Sequence, residues 1–171
     1  MQNSDINQLP QNDRTNDRLL ETIVSYVMEN FAEEISLEDM SSTVGISRFS
    51  LCRAFQRQFK VTPMRWLWTF RAILAFEFIA LEPRWSLTDI AFSCGFTSSA
   101  HFSRLFKSVF KCSPSQHRSQ ALQALRQSEG IPTLPRTFDA AFNADTGTTR
   151  RVAQSAMELS RTRPPLSPMF R

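Results

Sequence analysis

Apolar side chains return at every third or fourth position over much of the chain, the spacing that gathers them on one face of an α-helix. Leu20, Ile23, Val24, Val27, Met28 and Phe31 form the first such stripe and predict a helix that starts from Asn16 or Asp17 as its cap. Two later stretches share one pattern. "SLEDMSSTVGISRFSLCRAFQRQFKVTP" begins at Ser36 and "SLTDIAFSCGFTSSAHFSRLFKSVFKCSP" begins at Ser86, and the two align at a constant offset as far as Gly45 and Gly95. After one inserted residue, Leu51, Arg53, Phe55, Phe59, Lys60 and Pro63 match Phe102, Arg104, Phe106, Phe110, Lys111 and Pro114. A duplicated structural unit is the economical reading.

Each copy marks its own boundaries. Ser36 and Ser86 are N-cap candidates with Asp39 and Asp89 at the capping-box spacing, in which hydroxyl and carboxylate satisfy otherwise orphaned amide hydrogens. Gly45 and Gly95 fall where the short helix has to stop, because glycine enters the left-handed conformation of a C-cap without steric cost. Ser47 and Ser98 then start a second helix, which Pro63 and Pro114 must follow rather than interrupt. Helix, glycine turn, helix is the outline of a helix-turn-helix. Between the copies, residues 63–81 predict one long helix. Leu67, Phe70, Leu74, Phe78 and Leu81 line one side, and Trp68, Ala72, Phe76 and Ile79 the other. Apolar faces on both sides call for partners on both sides, so the helix reads as a spine joining two small subdomains. Burial is the expectation for the Trp68 stripe, with an exposed docking patch as the alternative.

The second helix of each copy is two-faced. Leu51, Ala54, Phe55 and Phe59 point one way, while Phe49, Arg53, Gln56 and Lys60 point the other; Phe102, Leu105, Phe106 and Phe110 oppose Ala100, Arg104, Lys107 and Lys111, with Ser103 at the flank. Charge sharpens the picture. The formal net charge is +4, yet the first 46 residues are acidic, carrying Asp5, Asp13, Asp17, Glu21, Glu29, Glu33, Glu34, Glu38 and Asp39 against Arg14 and Arg18. Neither Asp nor Glu occurs from Ser47 to Phe76 or from Ile90 to Ser128. A lone basic helix is most simply a solvated surface, but two of the same polarity in two helix-turn-helix outlines point to double-stranded DNA. Arg53 and Arg104 are the candidates to read base edges, with Phe49, Cys52, Gln56, Ser99, Ala100 and Ser103 as neighbours. Arg48, Arg57, Lys60, Lys107 and Lys111 are the candidates for phosphate contacts.

Composition narrows the alternatives. A chain of 171 residues with 42% apolar content supports one good core or two small ones, and Gly 4 beside Phe 15 favours an all-α protein packed on aromatic rings. Cys52, Cys94 and Cys112 are too scattered, with His101 and His117 alone to help them, for a zinc site or a disulfide framework. No cofactor is expected, and a reducing cytoplasm fits. The polar, acidic start is no signal peptide, and Arg71 and Glu77 interrupt the apolar run of residues 64–83 too early for a membrane span. The absence of a triad, a metal set or a phosphate loop argues against an enzyme. From residue 127 to 171 the chain turns to Thr, Pro, Arg and Ala without apolar period and reads as a largely disordered tail, with a transient helix over 150–159 and a minimal P-x-x-P at Pro165 and Pro168 as weak signals.

"DIAFSCGFTSSAHFSRLFKSVFKCSPSQHR", from Asp89 to Arg118, resembles the C-terminal signature of the AraC/XylS family of bacterial transcriptional regulators, in which I-A and G-F precede F-S-R-x-F-K, then P and a terminal Y-R. Ile90, Ala91, Gly95, Phe96, Phe102, Ser103, Arg104, Phe106, Lys107, Pro114 and Arg118 carry it, and the first copy is similar to the family's N-terminal motif. The resemblance implies seven helices, with two helix-turn-helix subdomains bridged by a long helix and each offering a recognition helix to successive major grooves on one face of the duplex. The boundaries expected are a disordered leader over 1–16 and a DNA-binding domain over 17–126, divided into 17–62, the linker helix 63–81, and 84–126. The family has glycine where Lys60 and Lys111 stand, which would tighten or reposition those turns; His117 replaces tyrosine, and Cys52 holds a base-facing position that is commonly polar and so could respond to oxidation. No small-molecule effector domain is expected in this chain, which reads either as a short regulator governed by its abundance or as the DNA-binding piece of a longer protein; the expectation is a sequence-specific regulator, an activator that binds as a monomer, with RNA polymerase as a candidate contact. A protein-binding antagonist that has lost DNA, docking through Trp68 and Phe76, is the second reading, and an alkylation-repair enzyme with a cysteine acceptor the third.

Overall fold

The computed structural model describes residues 9–127, with side chains from residue 16 onward. Expectations for the chain before residue 9 and for 128–171, including the 150–159 helix and the P-x-x-P, lie outside the described residues. These form seven helices and no strand: α1 (Leu9–Asn30), α2 (Leu37–Thr43), α3 (Arg48–Phe59), α4 (Pro63–Leu81), α5 (Leu87–Ser93), α6 (Ser99–Phe110) and α7 (Pro114–Arg126). The first helix departs from expectation. It begins at Leu9, so helix occupies the latter part of the leader expected to be disordered over 1–16, and neither Asn16 nor Asp17 caps it. Pro10 sits in the first turn, where its missing N–H is no loss, and no glycine or further proline interrupts the way to Arg18.

The two copies fold alike. α2 and α5 each have 7 residues, α3 and α6 each have 12. Gly45 and Gly95 adopt φ of +66° and +81°. In both copies the glycine N–H reaches back to one carbonyl (Ser42, Phe92) and the next residue's N–H to the carbonyl before it (Ser41, Ala91), which is the Schellman closure. The inserted residue is Thr97, which lengthens the turn between Gly95 and the N-cap Ser98 relative to that between Gly45 and the N-cap Ser47. Ser36 and Asp39 close a full capping box, with the Ser36 amide donating to Asp39 Oδ2 at 2.8 Å. At the second copy Ser86 Oγ still caps the Asp89 amide and its hydroxyl donates to the Asp89 carboxylate at 2.6 Å, as that of Ser36 does to Asp39 at 2.7 Å, but the box is not closed by the Ser86 amide.

Lys60 and Lys111 each take the left-handed conformation, φ 57° and 62°, directly after α3 and α6. A side chain there costs about 1–2 kcal/mol. Some of that is offset because Lys60 Nζ donates to the Arg57 carbonyl at 3.0 Å and Lys111 Nζ to that of Ser108 at 2.8 Å, a cation at the negative end of each helix. Lys111→Gly is therefore expected to raise thermal stability by about 0.5–1 kcal/mol, less than the full strain because glycine has more freedom to lose on folding. A thermal melt of the variant against the natural chain measures it.

Helix α4 is buried on every side from Thr69 to Ala80, which is why its apolar positions run around the whole cylinder. Its first half completes one aromatic cluster: Trp66 stacks on Phe70 at 5.7 Å and meets Phe55 and Phe59 of α3, while Phe70 meets Phe31 at the end of α1. The second half completes another, in which Phe76 lies against Phe106 and Phe110 of α6. The Trp68 stripe is not a free docking patch. Phe76 is buried, and Trp68 is half-buried under Phe96, His101 and the Arg71 guanidinium. Helix α7 closes the second unit through His117, whose ring stacks on Phe76 at 3.6 Å and whose Nε2 hydrogen-bonds to the Phe76 carbonyl at 3.0 Å.

Burial lowers the His117 pKa and the bond to the Phe76 carbonyl only partly counters it. The unfolded chain thus takes up a proton before the folded one does. Stability from His117 is complete above its ordinary value and is lost as pH falls below it. Melting temperature is expected to drop between about pH 7 and about pH 5, and His117→Tyr to remove that part of the drop.

Candidate nucleic-acid interface

The buried faces of α3 and α6 decide what the outer faces present. Leu51, Ala54, Phe55 and Phe59 sink into the first unit, and Phe102, Phe106 and Phe110 into the second. Among the sequence candidates, Arg48, Phe49, Arg53, Gln56, Arg57 and Lys60 on α3 and its cap are exposed, as are Ser99, Ala100, Ser103, Arg104, Lys107 and Lys111 on α6 and its cap. Cys52 alone is half-buried, which suits a space-filling side chain at the helix edge. Neither Arg53 nor Arg104 is buried, so both guanidinium groups are free to meet a polyanion.

The two outer faces differ in detail. Phe49 is 69% exposed, and the Arg53 guanidinium lies over its ring at 4.8 Å, a cation–π contact that limits where the arginine can point. The four-residue spacing of Phe49 and Arg53 was a visible signal for this pairing. Ala100 takes the place of Phe49 on α6, so Arg104 has no such platform. Arg48 Nε pairs with Glu38 Oε2 at 3.2 Å, both side chains being about two-thirds exposed. Such a pair contributes little and yields readily to a phosphate. The other exposed carboxylates of the described residues are Asp17, Glu21 and Glu29 on α1, Glu33 and Glu34 after it, and Asp39 on α2.

Arg71, which in the sequence is only a charge breaking an apolar run, is 2% exposed. Its Nε donates to the Phe31 carbonyl at 2.9 Å and Nη2 to that of Glu33 at 2.5 Å, both some forty residues earlier in the chain. Backbone carbonyls leave no trace in a sequence, so nothing marked this contact in advance. Burial lowers its pKa to about 10, and the group stays charged at neutral pH.

Other chemistry is not assembled. No three His, Cys, Asp or Glu side chains among the described residues are close enough to hold a metal ion. Burial pushes the Cys94 thiol, and more mildly the Cys112 thiol, up and away from the reactive thiolate. No helix of the described residues is long and apolar enough to cross a membrane.

A family model described as a helix-turn-helix domain matches residues 40–120. The transcriptional activator RhaS of Citrobacter koseri is 37% identical over 112 residues, covering 66% of this chain and 40% of that protein. The chain spans about two fifths of the length of the curated relatives it matches. A solved AraC-type DNA-binding domain protein from Chromobacterium violaceum superimposes with a TM-score of 0.59 at 28% identity, covering 64% of this chain and 97% of that one. The DNA-binding domain of the global transcriptional factor AdpA, solved in complex with a target DNA, does so with a TM-score of 0.58 at 25% identity, covering 66% and 97%. All of these relatives are transcription regulators rather than enzymes. With the paired helix-turn-helix units already established by the caps, turns and cores, these likenesses identify residues 40–120 as a helix-turn-helix domain of the AraC type.

Proposed function

We propose that the chain binds double-stranded DNA sequence-specifically, with α3 and α6 entering successive major grooves on one face of the duplex, and activates transcription as a monomer that contacts RNA polymerase. One observation carries the reading: two helices of equal length, each pinned by buried phenylalanines, expose acid-free basic faces centred on Arg53 and Arg104. The likeness to a domain solved on its target DNA supports DNA as the partner, and the name of the RhaS relatives supports activation. A cytoplasmic, nucleoid-associated location follows from that reading. The antagonist reading has Trp68 and Phe76 as its docking pair, and the burial of Phe76, with Trp68 half-buried against Phe96, weighs against it.

Arg53 and Arg104 read bases, with Phe49, Cys52, Gln56, Ser99, Ala100 and Ser103 beside them; Arg48, Arg57, Lys60, Lys107 and Lys111 hold phosphates. Arg104→Ala is then expected to cost about 1–3 kcal/mol of affinity and to relax preference at one position of the site, whereas Lys107→Ala weakens all sequences alike. Selection of binding sites from a random duplex library reads both. An unchanged base preference for Arg104→Ala would remove it from the base-reading set, and absence of any selective shift with the natural chain would return the antagonist.

A further inference from the structure

The two helix-turn-helix units do not merely share α4; they touch at Arg71. One side of the guanidinium is bound to the carbonyls of Phe31 and Glu33, at the exit of α1 in the first unit. Trp68 covers it, with its ring centre 4.7 Å from Cζ. Against it lies Gly95, in the turn of the second unit. A Cβ at Gly95 would stand 2.4 Å from the Phe31 carbonyl oxygen and 2.8 Å from both Cζ and Nε of Arg71. The backbone of the second unit's turn thus presses on the arginine and on the first unit's helix end at once. Gly45, its equivalent in the first unit, has a similar left-handed φ and nothing within 4 Å of such a Cβ. In the first copy the glycine serves its turn alone, while in the second it also makes room for a joint.

The geometry points to Arg71 as a positioning residue, which with Gly95 fixes the separation and angle of α3 and α6 and so sets the spacing between the two half-sites that the chain accepts on DNA. The inference rests on the two-groove reading above. A continuous helix keeps the units apart, but it does not by itself set how the first unit is turned about the α4 axis. Two hydrogen bonds from one buried planar cation to the α1 exit, with the second unit's backbone packed on the same group, supply that constraint. Two linked binding modules gain from each other only when their mutual geometry matches the two sites, so loosening the joint trades affinity at the matched spacing for tolerance of others.

The experiment uses the full chain and a duplex that the natural chain selects from a random library, with its half-sites then moved apart by about 2 and about 5 base pairs, the latter half a helical turn. The natural chain is expected to lose affinity steeply at both insertions. Arg71→Met is expected to lose about tenfold at the native spacing, to hold a duplex with one half-site intact about as well as the natural chain does, and to show a flatter spacing profile. Gly95→Ala is expected to flatten the profile in the same way. Gly45→Ala, which carries the same backbone strain without the clash, is expected to keep it steep. The glycine pair decides the matter if Arg71→Met does not fold. A folded Arg71→Met with the natural profile, an equal loss on the single half-site, or indistinguishable profiles for the two alanines overturns the assignment. Indifference of the natural chain to spacing instead overturns the two-groove reading beneath it.

Discussion

Raising the salt from about 50 to about 200 mM is expected to weaken the hold of this chain on DNA by about 500-fold. The figure comes from the cations alone. Arg48, Arg57, Lys60, Lys107 and Lys111 are all exposed on or beside α3 and α6. Each phosphate neutralised releases a condensed counterion and contributes about −0.9 to the slope of log affinity against log salt, so these five give about −4.5, and a fourfold rise in salt carries that exponent. Lys107→Ala makes the slope shallower by about 0.9 at every sequence tested. Fluorescence anisotropy over a salt series reads both quantities. A slope between about −1 and −2 would mean that most of the five cations stay off the backbone, and the phosphate set would have to be redrawn.

Phe106→Ala destabilises the fold by about 3–5 kcal/mol, the range for removing a fully buried phenyl ring from a packed core. Phe106 has no exposed surface and meets Phe76 of α4, Phe102 and Phe110 of its own helix, and His117 of α7. One ring therefore ties α6 to both α4 and α7. Phe92→Ala is the matched comparison, because Phe92 is 45% exposed on α5 and its removal is expected to stay within about 0.5 kcal/mol. Urea unfolding of both variants measures the contrast. A cost near about 1 kcal/mol for Phe106→Ala would show that α6 is held by something other than its aromatic face.

Much of this architecture could be read from the residues because its signals are local. Ser47, Ser98 and Gly45 act within a turn of where they stand, as Gly95 does in closing its own helix, and Phe102, Phe106 and Phe110 declare a buried face by spacing alone. The rest depends on partners distant in sequence. The carbonyls that bind Arg71 belong to Phe31 and Glu33, and no residue type announces a carbonyl. The start of α1 was placed too late because Asn16 and Asp17 resemble a cap, yet a helix with no breaker between Gln11 and Arg18 simply continues through them. The left-handed conformation of Lys60 and Lys111 was likewise not legible, because lysine, unlike glycine, does not announce it. For the interface, sequence separated anchors from outward cations, but it could not pair Arg48 with Glu38 across two helices.

The all-round burial of α4 also bears on how the chain is made. As it leaves the ribosome, the first unit receives Trp66 and Phe70 together with the rest of the spine, whose far flank around Phe76 has nothing to lie against until α6 and α7 follow. A nascent chain paused in that interval carries a bare aromatic seam, so translation speed across residues 82–117 governs how long it is open to aggregation or to a chaperone.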